Sequence, residues 1–364
     1  MKCNLSDICY FVNEKISLSE LTKDTYISTE NMLTNRGGIT VASALPSITQ
    51  TQAFKAGDVL VSNIRPYFKK IWHATFNGGC SNDVLVFRAK ESIDSDFLYY
   101  VLADDAFFNY ATGTSKGTKM PRGDKSAIMQ YGVPNIALSL QTRIAHILKP
   151  IDNKISLNNA INHNLEAQAS ELFDAWFILF VRSDGKMPAD WHKGTLGDIA
   201  AITSGKRPPM KQAVASVDAT IPLVGAASIM GFTNAILYNE PILVTGRVGT
   251  HGVVQRFQSP CWTSDNTLVI KSDFYEYTFQ VLQRVDYVNM NRGSTQPLIT
   301  QTDLKNVSIV IPTEEVLLEY EKIAGSLMAM YESNRKENER LATLRDTLLP
   351  KLMSGEIDVS EVEI

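Results

Sequence analysis

The stretch LGDIAAITSGKRP, residues 196–208, resembles the start of a domain although it lies in the middle of the 364-residue chain. The chain itself begins with a similar stretch, LSDICYFVNEKIS, residues 5–17. Both contain Leu-x-Asp-Ile and then a lysine seven residues after the isoleucine. The matched pairs share an offset of 191 residues and are Leu5/Leu196, Asp7/Asp198, Ile8/Ile199 and Lys15/Lys206. The match raises the question of why one chain should start twice.

Further matches follow the first one in the same order along the chain. They are VLVS (59–62) with ILVT (242–245), Leu85 with Leu268, Gly113 with Gly293, and Val133-Pro134 with Ile311-Pro312. The offset drifts from 191 to 178 while the order is preserved. This drift indicates two copies of one fold whose connecting loops have changed length.

Each copy begins with short β-branched and aromatic runs separated by Gly, Pro and Asn, a pattern that predicts strands and turns. An amphipathic helix is predicted over residues 96–111, and its counterpart over residues 276–291. Each globular unit is therefore predicted to contain both helices and strands.

A long helix is predicted at the end of each copy, because residues of one stripe recur there at alternating spacings of four and three. Such a 3.5-residue period is typical of a coiled-coil seam. The first seam comprises Ile144, Leu148, Ile151, Ile155, Asn158, Asn162, Leu165, Ala169, Leu172 and Trp176, and the second comprises Ile323, Leu327, Met330, Asn334, Glu337, Leu341, Leu344 and Leu348. Pro150 lies inside the first pattern and should kink the helix or mark its start.

The polar residues near the middle of each seam favour register control over a binding role. Connectivity favours an antiparallel pair, since the first helix leaves one unit and must deliver the chain to the other. The predicted fold class is α+β, with two pseudo-symmetric mixed α/β domains joined by a long antiparallel coiled-coil helix pair. The predicted segments are a first domain (1–140), a first long helix (141–182), a second domain (183–312), and a second long helix with a C-terminal tail (313–364).

Composition is ordinary for a globular protein, with 44% hydrophobic and 20% charged residues. No stretch approaches the ~20 apolar residues of a membrane helix, and no signal peptide is visible at the start. The four cysteines form no Cys-x-x-Cys pair, which favours a cytoplasmic location. A net charge of −4 argues mildly against a nucleic-acid partner, but RPYFKK (65–70), GKRPPMK (205–211) and the run from Thr114 to Lys125 are locally basic.

No motif for catalysis is evident in the sequence. There is no P-loop, no dinucleotide-binding turn, no zinc-protease helix and no nucleophile elbow. The five histidines show no ligand spacing among themselves or with cysteine, so no metal site is predicted. The sequence therefore predicts a non-catalytic chain.

Three stretches resemble the DNA specificity subunit of type I restriction-modification systems: GDVLVSNIRPYFKK, ELFDAWF, and above all LLPKLMSGEIDV near the C-terminus. The resemblance covers essentially the whole chain. It implies two target-recognition domains that read a split, asymmetric DNA site, and helices that dock two methyltransferase subunits. A restriction/translocase subunit would join for cleavage, and S-adenosylmethionine, ATP and Mg are expected on the partner subunits.

Under this resemblance, the candidates for DNA contact are basic and polar residues of the loops. They are Lys15, Arg65, Lys69, Lys70, Lys116 and Lys119 in the first copy, and Lys206, Arg207, Arg247, Thr250, His251, Arg292, Ser294, Thr295 and Gln296 in the second. Arg65 and Arg247 follow matched strands and are the leading candidates for reading bases. The exposed helical surface and the run from Phe173 to Val181 are predicted to dock partners, unless Trp176 and Phe177 simply cap the coiled coil.

Two other interpretations remain open from the sequence alone. One is a pure assembly scaffold that does not bind DNA. The other is an enzyme whose active-site residues are far apart in sequence and form no local motif.

Overall fold

The computed structural model describes residues 2–290, 298–360 and 362. The chain divides into two compact units, the first comprising Met1–Asn158 and Lys336–Ile364 and the second Asn159–Arg335. Helix α5 (Leu138–Phe173) and helix α10 (Glu314–Ser354) each contribute residues to both units.

The first unit contains two four-stranded sheets. Its strands are β1 (Lys2–Asn4), β2 (Cys9–Phe11), β3 (Lys15–Ser17), β4 (Tyr26–Ile27), β5 (Gln50–Phe54), β6 (Val59–Ser62), β7 (Ile71–His73), β8 (Gly78–Cys80), β9 (Val84–Ala89) and β10 (Gly132–Pro134). Its short helices are α1 (Leu5–Ile8), α2 (Ser95–Ala103), α3 (Asp105–Gly113) and α4 (Lys125–Ile128). The central sheet has the order β2-β9-β6-β7, the second sheet has the order β3-β5-β8-β4, and β1 pairs with β10.

The second unit repeats the central sheet. Its strands are β11 (His192–Thr195), β12 (Ala201–Ser204), β13 (Ile221–Val224), β14 (Ile229–Thr233), β15 (Ile242–Gly246), β16 (Gln255–Phe257), β17 (Trp262–Thr263), β18 (Thr267–Lys271) and β19 (Ser308–Ile311). Its short helices are α6 (Leu196–Ile199), α7 (Tyr275–Gln283), α8 (Tyr287–Met290) and α9 (Gln301–Lys305). The order β12-β18-β15-β16 matches β2-β9-β6-β7 strand for strand, so the prediction of one fold used twice is confirmed.

The Leu-x-Asp-Ile motif forms the same capped helical turn in both units. The backbone N–H of Asn4 donates to the Asp7 carboxylate at 2.8 Å, and the N–H of Thr195 donates to Asp198 at 2.7 Å. An acidic residue at the third helical position satisfies a backbone donor that has no partner within the helix. The similarity between residues 5–17 and 196–208 therefore reflects one capped turn that precedes the central sheet of each unit.

The strand pairing corrects two of the predicted repeat alignments. Val59 pairs with Phe87 and Leu243 pairs with Ile270, so Val59 corresponds to Leu243 rather than to Ile242. These strands are buried on both faces, and an uninterrupted apolar run cannot set the register that alternation would reveal. Asn4 and Thr195, which stand at the same place before the capped turn, pair with Gly132 on β10 and Ser308 on β19. Val133 therefore corresponds to Ile309, not to Ile311.

The helices predicted over 96–111 and 276–291 are each interrupted. In the first unit the break lies at Asp104, whose backbone is extended. The Asp104 side chain caps α3 by accepting the backbone N–H of Ala106 at 2.8 Å. In the second unit α7 ends at Gln283 and α8 begins at Tyr287. Aspartate favours such a break because it competes as an N-cap.

The long helices run antiparallel within each unit. In the first unit Asp152 contacts Arg345 and Asn158 contacts Glu337, so the partner number falls as the number along α5 rises. In the second unit Asn162 contacts Asn334, and Ala169 accepts from Tyr320. Of the two alternatives predicted for Pro150, a helix start is excluded, because α5 begins at Leu138 and continues through the proline.

The first predicted seam is buried or half-buried along its length. Ile144, Leu148, Asn158, Asn162, Leu165 and Ala169 are buried, and Ile151 and Ile155 are half-buried. Beyond Ala169 the buried positions are Phe173 and Phe177, whereas Leu172 and Trp176 are half-buried. The spacing of four from Leu165 to Phe177 exceeds the 3.5-residue seam period, and Phe177 lies in a wider π-helical turn over Asp174–Ile178 that follows α5.

The second predicted seam lies one residue away from the buried face over most of its length. Ile323, Met330 and Leu344 are 40%, 55% and 47% exposed, and Leu327, Asn334, Glu337, Leu341 and Leu348 are half-buried. The buried face instead contains Leu317, Tyr320, Ala324, Met328, Arg345, Leu349 and Leu352. Alanine and arginine on this face made it less hydrophobic than the neighbouring stripe, so hydrophobicity alone selected the wrong stripe.

Leu165 from the first predicted seam and Leu344 from the second test this correction. Leu165→Ala should destabilise the protein by about 2 to 5 kcal/mol, because Leu165 is only 6% exposed. Leu344→Ala should change stability by less than about 0.5 kcal/mol, as exposed substitutions do. Urea unfolding of the two variants measures the difference, and similar losses for both would restore the predicted seam.

Glu321 on α10 joins the long helix to α7 in the second unit. Its carboxylate accepts the backbone N–H groups of Glu276 and Tyr277 at 3.0 and 2.8 Å, and so caps the start of α7. Burial raises the pKa of Glu321 from 4.5 to about 7, although these two hydrogen bonds act in the opposite direction. Glu321 therefore binds its proton more tightly in the folded protein than in the unfolded chain.

This raised pKa predicts a pH-dependent stability. An acid that binds its proton more tightly when folded stabilises the fold fully below about pH 4.5 and loses that contribution as the pH rises through about 7. Glu321→Gln cannot ionise, so its stability relative to wild type should rise across this range, by up to about 3 kcal/mol. Urea unfolding at several pH values measures this, and parallel pH profiles would contradict it.

Candidate nucleic-acid interface

The hairpin between β6 and β7 carries the basic stretch RPYFKK in the first unit. A 3-10 turn over Pro66–Phe68 forms its tip, and Arg65 and Lys69 flank the turn with φ values of 49° and 51°. Residues other than glycine rarely adopt this left-handed conformation and keep it only where the surroundings impose it.

Two neighbouring loops hold the tip in place. The N–H groups of Asn35 and Arg36 donate to the carbonyl oxygens of Phe68 and Lys69, each at 2.9 Å. On the other side, the N–H of Arg65 donates to the carbonyl of Pro121 at 2.8 Å. We call residues 33–38, 63–70 and 114–123 together the first loop cluster.

Several cations of the first loop cluster are already paired with carboxylates. Asp105 receives hydrogen bonds from Lys69 and Arg36. Burial alone would raise the pKa of Asp105, but these two hydrogen bonds hold it below its usual value. Lys116 pairs with Asp124 at 2.5 Å and Arg122 with Asp83 at 3.2 Å. These pairs partly neutralise the basic character expected from the sequence.

Arg65 and Lys119 differ, because neither has an ion-pair partner in the part of the chain that the structure describes. One Arg65 Nη donates to the Lys119 carbonyl at 3.4 Å, and its buried Nε has no hydrogen-bond partner among the described residues. The guanidinium carbon lies 5.9 Å from the centre of the Phe68 ring. Lys119 is exposed. Both cations are therefore available to an anionic ligand.

The other two candidates in the first unit occupy different surroundings. Lys70 is half-buried and donates to the Thr29 carbonyl at 2.6 Å, and burial lowers its pKa. Lys15 is exposed on β3, which belongs to the second sheet rather than to the hairpin.

The corresponding hairpin of the second unit, between β15 and β16, is shaped by glycines. A Cβ at Gly246 would lie 1.9 Å from the Thr250 carbonyl oxygen, so no other residue fits this turn. Thr250 is exposed, and His251 lies with Nδ1 3.3 Å from the Gly246 carbonyl. Arg247 is half-buried, and its guanidinium has no ion-pair partner among the described residues.

Backbone hydrogen bonds show that Arg65 and Arg247 are not equivalent. The N–H of Asn63 donates to Asp83 and that of Arg247 donates to Asn266, both at 2.8 Å. Arg247 therefore corresponds to Asn63, and Arg65 lies two residues further toward the tip of its hairpin. The two hairpins share their base and differ at their tips.

The remaining candidates of the second unit flank β12 or lie outside the described residues. Lys206 and Arg207 are exposed, and the Lys206 carbonyl accepts from the Trp262 indole at 2.8 Å. The position just before them requires glycine, because a Cβ at Gly205 would lie 2.2 Å from the Ser264 carbonyl oxygen. Arg292, Ser294, Thr295 and Gln296 lie outside the described residues.

Several residues of the first loop cluster were not predicted from the sequence. Arg36 is nearly buried, donates to the Ala103 carbonyl at 2.6 Å and joins the Asp105 pair. Tyr67, Phe68 and Met120 are exposed apolar side chains among the cations. The Asn-Arg-Gly-Gly turn around Arg36 and the aromatic pair inside RPYFKK were the available signals.

The described residues contain no cluster of three or more His, Cys, Asp or Glu side chains suited to a metal ion. No helix among them is long and apolar enough to cross a membrane.

Comparison with known proteins identifies the family. The profile of the type I restriction modification DNA specificity domain matches residues 1–167 and again residues 188–345. The MjaIX specificity subunit of Methanocaldococcus jannaschii is 25% identical over 75% of this chain and 71% of its own length. The HindI specificity subunit of Haemophilus influenzae is 22% identical over 97% of this chain and 98% of its own length.

A solved structure supports the fold. The S subunit of a type I system from M. genitalium shares 16% identity with this chain, covers 99% of it with 96% of its own length, and superposes with a TM-score of 0.62. Specificity subunits of type I systems are non-catalytic, bind DNA and assemble with other subunits. The chain belongs to the type I restriction-modification DNA specificity family and carries two copies of its domain.

Proposed function

We propose that this chain reads a bipartite, asymmetric DNA site, with one recognition domain for each half-site. The observation that supports this most strongly is the pair of hairpins, β6–β7 and β15–β16. They occupy the same place in the same fold, yet one has the tip RPYFKK and the other has RVGTHG. Two different readers on one repeated framework suit a target whose halves differ in sequence.

Each hairpin combines groups that DNA recognition needs. Arg65 and Arg247 are arginines without an ion-pair partner among the described residues, and guanidinium groups bind guanine edges or phosphates through two parallel hydrogen bonds. Lys119 adds an exposed cation that suits phosphate contact. Lys69 and Lys116 can contact DNA phosphates only after each gives up its ion pair, with Asp105 or Asp124, and breaking that pair costs free energy.

We further propose that two methyltransferase subunits dock on the long helices and on the segment that follows α5. Phe173 at the end of α5 and Phe177 in the segment after it are buried in the second unit, whereas Ile178, Leu179 and Val181 are 53%, 61% and 63% exposed. Packing thus accounts for the two phenylalanines, and the three exposed residues remain available to a partner. S-adenosylmethionine, ATP and Mg would bind to partner subunits, with the restriction/translocase subunit joining for cleavage.

The two hairpins should act on separate half-sites. Arg65→Ala should weaken or relax recognition of one half-site and Arg247→Ala that of the other, each by about 1 to 3 kcal/mol if the arginine contacts a base. The assay is binding of the assembled methyltransferase to duplexes that carry single substitutions in either half-site, once methylation mapping has given the target. A phosphate contact would instead weaken all sequences alike and reduce the salt dependence.

Lys90→Ala provides a matched control for that assay. Lys90 is exposed and follows β9 at the end of the central sheet away from the hairpin, so its loss should leave binding unchanged. Wild-type binding by both arginine variants would remove the hairpins as readers. An equal effect of either variant on both half-sites would exclude one domain per half-site, and salt-independent or absent DNA binding by the assembly would favour a scaffold.

The docking segment can be tested separately. Leu179→Glu should weaken assembly with the methyltransferase subunits by about tenfold or more, since a buried unpaired charge is costly at an interface. Val217→Glu is the control, because Val217 is 98% exposed and lies in a loop of the same unit. Titration of the purified subunits followed by size-exclusion chromatography measures assembly, and equal assembly by both variants would contradict the proposed docking segment.

A further inference from the structure

The tip of the β6–β7 hairpin presents two adjacent aromatic side chains to solvent. Tyr67 and Phe68 are 47% and 36% exposed, and their ring centres lie 4.8 Å apart in an edge-to-face arrangement. Neither side chain belongs to the hydrophobic clusters formed by the described residues. A pair of exposed aromatic rings at a hairpin tip contributes little to the core and indicates a contact outside the chain.

The backbone that carries these rings is held in one conformation. Arg65 and Lys69 adopt left-handed conformations on either side of the turn, and the carbonyl groups of Phe68 and Lys69 accept hydrogen bonds from the loop at residues 35–36. Strained backbone of this kind clusters at functional sites, where the surrounding structure imposes it. The two rings therefore project from a hairpin tip whose backbone is fixed by neighbouring loops.

The surroundings of the rings combine apolar and cationic groups. Leu33 and Met120, from the two bracing loops, are 41% and 49% exposed, and Arg65 and Lys119 lie in the same loop cluster. Duplex DNA offers the complementary arrangement, with stacked bases inside two rows of phosphates. Proteins that deform DNA use this combination, inserting apolar side chains between base pairs while cations hold the backbone.

We propose that Tyr67 and Phe68 form a wedge that enters one base step of the half-site read by the first unit and partly unstacks it. This inference rests on the proposed function and deepens it, because it assigns a role beyond hydrogen bonding to base edges. The wedge belongs to one half-site, since residues 247–254 of the second hairpin contain no Phe, Tyr or Trp. Steps that unstack easily, such as pyrimidine–purine steps, would be preferred there.

The test uses 2-aminopurine, an adenine analogue whose fluorescence rises when it loses its stacking partners. The analogue is placed in turn at each purine of both half-sites except the methylated adenine, and each duplex is bound to the complete methyltransferase complex. Wild-type complex should produce a several-fold rise at one step of one half-site. The double variant Tyr67→Ala/Phe68→Ala should abolish that rise.

Two further variants make the result specific. Tyr10→Ala removes an aromatic side chain that is 44% exposed on β2, at the end of the central sheet away from the hairpin, and should leave the rise intact. Tyr67→Leu/Phe68→Leu keeps apolar volume at the tip and should retain part of the rise. Thermal unfolding of each complex checks that the fold is preserved.

Several outcomes would overturn the proposal and can be told apart. Tight, salt-dependent DNA binding without any unstacked step would remove the wedge and leave the proposed function standing. Loss of affinity on replacing thymine by uracil, without unstacking, would reassign the rings to a thymine methyl group. Loss of the methyltransferase subunits from the double variant would reassign them to a protein contact. Absence of DNA binding by the wild-type complex would overturn the proposed function together with the wedge.

Discussion

The apolar contacts between the long helices and the globular units are the constraint on which the rest of the structure depends. The core of the first unit contains Leu5 and Val133 from the first domain together with Leu349, Leu352 and Val359 near the end of the chain. The core of the second unit likewise includes Phe173 from α5 and Tyr320 from α10. Neither unit can bury its hydrophobic face without residues from both long helices. Bringing such distant segments together costs conformational entropy, and the burial of these apolar side chains offsets that cost.

Polar groups set the register of the helices. Arg345 lies on the buried face of α10 and pairs with Asp152 at 2.8 Å, and Tyr100 donates to the same carboxylate at 2.9 Å. In the second unit, Asn334 donates to Asn162 at 2.9 Å. Sliding either helix by one residue would break these contacts and leave partly buried polar groups without partners, which is unfavourable. The cores supply the stability, and the buried polar contacts choose one alignment from several that hydrophobic contact would permit.

Because the apolar cores and the buried polar contacts maintain the fold, the loops can differ between the two units. The central sheets of the two units share one strand order, and the bases of the two hairpins share their backbone hydrogen bonds. Their tips share neither sequence nor conformation, since the left-handed residues are Arg65 and Lys69 in one and Gly249 and Gly252 in the other. Binding residues generally lie on loops positioned by a rigid scaffold. A repeated scaffold with unlike loops is suited to an asymmetric target in a way that a symmetric dimer is not.

The amino-acid sequence alone was sufficient to predict the duplication, the mixed composition of each unit, the two long helices and the family. Those conclusions rest on local signals, namely the Leu-x-Asp-Ile capping turn, strand and turn composition, helical periodicity and the C-terminal LLPKLMSGEIDV stretch. The buried face of α10 is defined by tertiary packing alone, because Ala324 and Arg345 make this face less hydrophobic in sequence than the exposed stripe that contains Met330 and Leu344. Tertiary structure also decided which cations are free, since Lys69 pairs with Asp105 of a distant segment and Lys116 pairs with Asp124 of its own basic run. Burial and ion pairing depend on which segments meet, and a linear pattern does not contain that information.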